Sequence, residues 1–320
     1  MRFVPQASGI WGVGGDTLDD AALNLHEGYI AFGRASFQLQ IGRMELAYGD
    51  HLVLGNVDWH PTGRSFDALR LRLLRAKFDL DVFASLVSEG GTPNFFDGDF
   101  YLLGAYAMLG RVFARPMDFD VYWLAQLRDG DPSNSVNSVI RFTLGARAKN
   151  RVGDFDYRFE TDLQTGKNAS NAIIAGQADL EAGYNFFSDR FRAALEGAFA
   201  SGDNPNNSRD SAYDQLYPTA HKWMGFSDII GARSNVLTGI AHLSSLPHRD
   251  FKLYLDAHVF ARPQPSMDYA GTELDVGAIY TIATGLKTRV GYALFVGNEN
   301  VYPNIDTPAH FLEMELRYDY

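Results

Sequence analysis

The chain has no cysteine in its 320 residues. This excludes disulfides, thiolate nucleophiles, cysteine-ligated zinc and the lipidated cysteine of a lipoprotein. It also lacks any uninterrupted apolar run near the roughly 20 residues that a membrane-spanning helix needs, so a helical membrane protein is excluded. An excess of positive charge is missing as well. Its 28 Lys and Arg face 39 Asp and Glu for a net charge of -11, the reverse of the basic surface that nucleic acid requires. None of the eight histidines pair at a helix-face spacing, and there is no G-x-S-x-G elbow or phosphate-cradling loop. No catalytic residue, metal or cofactor is therefore assigned, and the expectation is a protein that is not an enzyme. Met1–Gly15 lacks the basic and then apolar succession of a signal peptide, so the expectation is a mature chain from which an export signal has been removed.

Aromatic residues are plentiful (23 Phe, 16 Tyr, 4 Trp), as are glycines, at 31. Their arrangement has a period of two. In Phe251–Arg262, Phe251, Leu253, Leu255, Ala257 and Val259 share one parity, while Lys252, Tyr254, Asp256, His258 and Arg262 share the other. Successive strand side chains point to opposite faces, so such a segment has one apolar and one charged side. The same alternation between turn signals predicts sixteen strands. The first eight are Phe3–Val13, Leu25–Arg34, Phe37–Tyr48, Arg64–Ala76, Phe78–Val87, Phe100–Leu109, Asp118–Arg128 and Ser138–Ala148. The second eight are Phe155–Gln164, Ile174–Phe186, Phe191–Ala200, Asn235–Leu243, Phe251–Arg262, Glu273–Ile282, Leu286–Val296 and His310–Tyr320. Fourteen or eighteen strands remain open, because the first segment is the weakest pattern.

Short connections (Arg34–Ser36, Ala76–Lys77, Ser188–Arg190, Thr284–Gly285) alternate with long polar ones. The long set is Asp50–Gly63, Gly90–Gly98, Gly130–Asn137, Gly166–Asn171 and Ser201–Ser234. Short turns at one rim and long loops at the other characterise a transmembrane β-barrel, as do an even strand number and a last strand ending on an aromatic, here Tyr320. The sidedness agrees. In Phe155–Gln164 the residues Phe155, Tyr157, Phe159 and Leu163 oppose Asp156, Arg158, Glu160 and Asp162. A soluble β-protein of this size would need the apolar parity inside. The fold class expected is all-β, one transmembrane antiparallel barrel spanning residues 1–320, embedded in a bacterial outer membrane and delivered by its assembly machinery. Trp59 and Trp123 fit interfacial anchors.

Two stretches carry a more specific pattern. They are GRMELAYGDHLVLGNVDWHPTGRSFDALRL, Gly42–Leu71, and SGDNPNNSRDSAYDQLYPTAHKWMGFSDIIGARSNV, Ser201–Val236. Together they resemble the alginate-export family of Gram-negative outer-membrane proteins, with its GR…YGD…DW…RSFD and SGD…YPT.HK..G..D..G..N blocks. The resemblance implies a monomeric porin that passes a hydrophilic solute or an anionic polysaccharide such as alginate, guided by an arginine-rich lumen. This chain departs from that pattern. Its inward parity carries Arg70, Arg72, Arg141, Arg147, Arg158, Lys252, Lys287 and Arg289, but also Asp79, Asp81, Asp118, Asp120, Asp156, Glu160, Asp162, Asp179 and Glu181.

The lumen-lining candidates are those cations together with Arg64, which at even spacing from Arg70 and Arg72 forms a ladder able to attract carboxylates. The same ladder could equally neutralise Asp79 and Asp81 across the next strand. Arg43, Asp58 and Asp67 of the first block are candidates for a constriction network, with Arg43 pointing inward only if a bulge intervenes near Gly42. Ser201–Ser234 is too long for a casual turn. Its Asp203, Asp214, Tyr217, His221, Lys222 and Asp228 could form a gate or plug, or sit in an ordinary external loop. The Asp203–Asp210 run offers oxygen ligands to Ca2+ but not the spacing of a twelve-residue calcium loop. Three functional readings follow: a passive channel, a blocked scaffold barrel whose loops bind a partner, and a membrane hydrolase.

Overall fold

In the computed structural model the described residues are 1–8, 22–57, 59–60, 62–88, 99–113, 117–130, 137–305 and 308–318. Sixteen strands form one sheet whose order follows the chain, with antiparallel pairing between neighbours. They are β1 (Arg2–Ser8), β2 (Ala22–Arg34), β3 (Phe37–Met44), β4 (Phe66–Leu74), β5 (Asp79–Ser88), β6 (Phe100–Met108), β7 (Asp118–Arg128) and β8 (Val139–Val152). There follow β9 (Phe155–Asn168), β10 (Asn171–Phe186), β11 (Phe191–Ala200), β12 (Val236–His248), β13 (Phe251–Arg262), β14 (Asp268–Ala283), β15 (Leu286–Gly297) and β16 (Ala309–Tyr318). Each alternating segment of the sequence became one strand. The ends of the first and last expected strands, residues 9–13 and 319–320 with Tyr320, lie outside the described residues.

One connection differs from expectation. Gly166–Asn171 reads as a long polar loop, yet β9 runs to Asn168 and β10 starts at Asn171, leaving Ala169 and Ser170 to turn. Ala169 takes the left-handed conformation (φ 50°) that tight hairpins need. β9 and β10 have 14 and 16 residues, more than the about 9–11 that cross a bilayer, so their polar ends are strand in water and not loop.

The sides of the strands are inverted relative to a soluble protein. On β9, Phe159 and Leu163 are 38% and 67% exposed, whereas Arg158, Glu160 and Asp162 are 5%, 3% and 1% exposed. Contacts divide the chain into two units. The first holds Met1–Ala146, Gln164–Ile173 and Gln215–Thr219; the second holds Arg147–Leu163, Ile174–Asp214 and Ala220–Tyr320. The buried parity of the first unit is not polar throughout. Phe66, Phe83, Leu102, Tyr106, Tyr122 and Leu124 are buried on it, together with Met44, Leu46, Leu52 and Leu54 from the end of β3 and the loop that follows. A loop that folds back over a sheet needs an apolar seat, and these residues provide it. In the second unit the buried parity interleaves charge, at Arg158, Glu160, Asp162, Asp179, Glu196, Glu273 and Asp275, with apolar residues such as Ala198, Ile240 and Phe260.

Gly42 on β3 has φ 128°, and a Cβ there would lie 2.2 Å from the Gly28 carbonyl oxygen and 2.9 Å from the Tyr29 Cα. Both neighbours are backbone atoms and cannot swing away. Gly42→Val should therefore cost about 1–3 kcal/mol, read as a lower urea midpoint for the folded band on unheated gels. Gly197→Ala, where a Cβ meets nothing within 4 Å, should leave the midpoint within error of the parent.

Candidate functional site

In the first unit, Arg70 and Arg72 of β4 stand two residues apart on the buried parity and find different partners. Arg70 Nε donates to Gln40 Oε1 at 2.7 Å, and Arg72 Nε donates to Asp81 Oδ1 at 3.1 Å. Asp81 is fully buried and also accepts the Tyr48 hydroxyl at 3.0 Å. Burial, and then the adjacent Asp81, hold the Tyr48 hydroxyl well above the usual tyrosine range, so it remains a donor. Tyr106 donates to Asp120 at 3.0 Å and Arg141 to Gln126 at 3.1 Å. The rings of Tyr48, Tyr106 and Tyr122 stack at 4.5 and 5.5 Å between centroids.

The two sequence blocks that carry the family pattern meet here. Tyr217 N donates to Val53 O at 3.0 Å, Gly55 N to Tyr217 O at 2.8 Å and Thr219 N to His51 O at 3.0 Å, around a parallel bridge between Leu54 and Tyr217. The Tyr217 ring meets Phe66 edge-on at 5.3 Å. Arg64 lies 5.7 Å from the centre of that ring and donates to the Pro218 carbonyl at 2.8 Å. The YPT triplet of the second block is thus tied to the first block by an isolated bridge and main-chain hydrogen bonds.

In the second unit, Arg158 is the hub. Its guanidinium reaches Asp179 at 2.7 Å, Glu196 at 2.8 Å and Glu181 at 3.1 Å, and its Cζ lies 4.3 Å from the centre of the Trp223 ring. Arg233 bonds Asp179 at 2.6 Å, and both are fully buried. Arg192 grips Asp156 and bonds Glu181 at 2.6 Å. His242 lies between Asp256 at 2.7 Å and Glu196 at 3.3 Å. Tyr213 donates to Asp162 at 3.0 Å; burial, then Asp162, keep that hydroxyl well above its ordinary range.

The segment after Trp223 is clipped to β14. Phe226 N donates to Asp275 at 3.3 Å, and Ser227 N and Oγ donate to Glu273 at 2.8 and 2.6 Å. Gly225 precedes them with φ 88°, and a Cβ there would lie 2.6 Å from the Glu273 carboxyl carbon. His221, 2% exposed, stacks on Phe226 at 5.1 Å and bonds Asp228 at 3.0 Å and Glu313 at 3.3 Å. Arg289 pairs with Glu313 and lies 5.8 Å from the Phe226 ring.

The residues expected from the sequence thus divide. Arg70, Arg72, Arg141, Arg158 and Arg289 occupy polar networks on the buried parity. Arg64 does not continue the ladder, because β4 begins only at Phe66 and Arg64 belongs to the preceding loop. Arg43 and Asp67 bond each other at 2.7 and 2.9 Å but face each other across β3 and β4 on the parity of Ile41 and Leu69, both 47% exposed. The β2–β3 register runs past Gly42 without a shift, so no bulge turns Arg43 inward and the two stand apart from the Arg70 and Arg72 network. Asp58 lies outside the described residues. Lys252 is exposed at the turn end of β13, opposite Ile279. Of the loop candidates, Tyr217, His221 and Asp228 pack as described, Asp214 is half-buried, and Asp203 accepts a local bond from Ser211 N at 3.1 Å. Lys222 lies in the single turn Ala220–Lys222, and its side chain is outside the described ones.

Arg192, Glu196, His242, Glu273, Asp275 and Glu313 were absent from the expected set, although their strand parity marks all of them. Trp223, Ser227 and Arg233 carry no periodic signal and belong to the loop. Glu181, Glu196 and His242 present ligand atoms within 4.8 Å of one another, but Arg158 and Arg192 already occupy those carboxylates, so the cluster is an ion network.

The sequence matches the family described as alginate export over residues 8–265. No curated protein matches it. Solved structures with the same fold come from Pseudomonas aeruginosa. OpdK with vanillate has a TM-score of 0.62 at 13% identity, covering 93% of this chain and 79% of that one. OccK10 (OpdN) has a TM-score of 0.63 at 10% identity, covering 94% and 86%. The outer membrane protein OprD has a TM-score of 0.58 at 14% identity, covering 89% and 75%.

Removing the hub should destabilise the protein far more than removing a surface pair. Arg158→Met leaves three carboxylates without their shared cation, yet each keeps a second partner: Asp179 has Arg233, Glu181 has Arg192 and Glu196 has His242. The expected loss is about 3 kcal/mol, the low end for breaking a buried ion pair. Arg43→Met, which breaks a half-exposed pair at the loop ends of β3 and β4, should cost about 0–1 kcal/mol. Equilibrium urea unfolding of both variants checks the contrast.

Proposed function

The chain belongs to the alginate-export family, and from that membership we propose how its channel works. The protein is an outer-membrane β-barrel, embedded in the bilayer and passing solutes. We propose that transport is passive, without a chemical step, and that the buried polar parity of the strands lines the path. The observation that carries this is the inversion on β9, where Arg158, Glu160 and Asp162 are buried while Phe159 and Leu163 are exposed. Hydrocarbon on one side leaves charge only the other side.

Arg70, Arg72, Arg141, Arg158 and Arg289 are proposed to line that path. Each faces a carboxylate or an amide, so the lining is a mosaic of both signs and not a cationic sleeve. Such a lining suits a small hydrophilic solute or an oligosaccharide, which can exchange hydrogen bonds with alternating donors and acceptors. The loop between β11 and β12 is proposed as the gate. The clip of Phe226 and Ser227 on Glu273 and Asp275, and Trp223 on Arg158, support a docked element. An anionic polysaccharide would pass with this loop released.

We further propose that residues 1–320 form one domain, which the unbroken strand order supports, and that the protein works as a monomer. Recognition by the outer-membrane assembly machinery is supported by the alternating last strand, whose Leu312, Met314, Leu316 and Tyr318 are exposed.

A second reading, a blocked scaffold barrel whose loops bind a partner, is favoured by the burial of Tyr213, Trp223 and Arg233 in the loop. Planar-bilayer conductance separates the two. The parent should show small, steady single channels, and deletion of Asp203–Asp228 should raise conductance severalfold. Glu273→Gln combined with Asp275→Asn, which weakens the clip without shortening the chain, should make the parent channel flicker between two levels. Insertion without conductance in the parent and in all these variants would leave the scaffold.

A further inference from the structure

The exposed parity of the second unit is not uniformly convex. A groove of about 500 Å³ is sunk into it across β11–β15 and lined by Phe191, Leu243, Leu253, Leu255, Val276 and Val290. Along one row of its floor, small residues alternate with large ones. Ser245 stands between Phe191 and Leu253 in the register, and Ala278 between Leu253 and Val290. The low points at Ser245 and Ala278, among larger apolar side chains that include Leu253 between them, leave a trough with almost no polar lining.

The end of the groove meets the short turns. Arg190 O accepts a bond from Leu246 N at 2.8 Å, one position beyond the Phe191–Ser245 pair, and Arg190 is exposed. The next turn holds Arg249, whose side chain is 86% exposed, beside Asp250. Lys252 and Lys287 are exposed at the same ends of β13 and β15, on the parity opposite to the groove's lining. Asp250, at 3.3 Å from Arg249 Nε, Asp189, paired with Arg151, and Asp154, 3.7 Å from the same Arg151, are carboxylates at this end. Cations therefore prevail where the apolar trough reaches water.

A trough on a hydrocarbon-facing surface is filled by what surrounds it, because an empty one forfeits the dispersion contacts of its lining. A second copy of the chain is a poor fit, since a two-fold contact would set trough against trough and leave both empty. A soluble ligand would have to cross the bilayer interior to reach the floor. We propose that the groove binds one anionic glycerophospholipid, with an acyl chain lying over Ser245 and Ala278 and the phosphate held by Arg190 and Arg249. The guanidinium groups contribute charge-assisted bonds to the phosphate, and the trough fixes the chain.

The test uses the full chain in detergent, stripped of lipid and titrated with phosphatidylglycerol under native mass spectrometry. One molecule per protein should bind, at least fivefold tighter than phosphatidylethanolamine. Ala278→Trp, which fills the floor, should weaken phosphatidylglycerol at least tenfold, while Val259→Trp, equally lipid-facing but outside the groove, should not. Arg190→Ala with Arg249→Ala should abolish the preference between headgroups. Ala278→Leu with Ser245→Leu serves as a milder fill should tryptophan prevent folding, judged by heat-modifiable migration. The proposal is overturned by binding indifferent to both fills, by equal affinity for the two lipids, by a bound detergent that phosphatidylglycerol does not displace, by competition from inorganic phosphate alone, or by a dimer mass.

Discussion

A β-strand in a bilayer has one side on which charge can stand, and everything distinctive in this protein follows from how that side is filled. Isolated charges cannot be tolerated beside hydrocarbon, and a strand has no helix turn behind which to hide them. The polar parity therefore carries both signs in adjacent rows, and Arg70, Arg72, Arg141, Arg158 and Arg289 find carboxylates or amides on the next strand or the one beyond. Arg158, with Asp179, Glu181 and Glu196 around it, is the densest instance. Buried networks of this kind contribute more to specificity than to net stability. They fix register, because a slip by one residue would turn every charge into the membrane.

The second consequence is that the loop can be held only by what the strands already offer. Backbone amides at Phe226 and Ser227 take up Glu273 and Asp275, and the Trp223 ring takes the face of Arg158 that its carboxylates leave open. In the first unit, where the buried parity is apolar in part, the partner is different: the 46–54 segment rests on aromatic rings, and Tyr217–Thr219 pairs with it through main-chain bonds. The chemistry of each seat matches the chemistry of the segment that occupies it.

Strand number and sidedness were legible in the sequence because both are one-dimensional. A period of two survives any tertiary context that keeps one face in lipid, and Arg158, Glu160 and Asp162 announce their side by parity alone. The turn at Ala169–Ser170 was hidden, because a polar strand end in water and a polar loop have the same composition. Arg43 and Asp67 misled for the opposite reason. They sit in a distinctive motif, and parity placed Arg43 outward unless a bulge intervened; the register shows that none does. The loop contacts of Trp223, Ser227 and Arg233 were out of reach, since they depend on which distant strands the segment meets and no local period encodes that.

The meeting of the two blocks also says something about time. The Gln215 amide reaches the Leu52 carbonyl across 163 residues of chain, while strands consecutive in the sequence close far shorter spans. Closing so wide a loop is entropically costly, and the seat on which Tyr217 lands does not exist until β3 to β7 have paired. Assembly of the wall therefore precedes arrival of its occupant. A newly inserted molecule therefore passes through a stage in which the strands have paired and the Tyr217–Thr219 segment has still to find its seat.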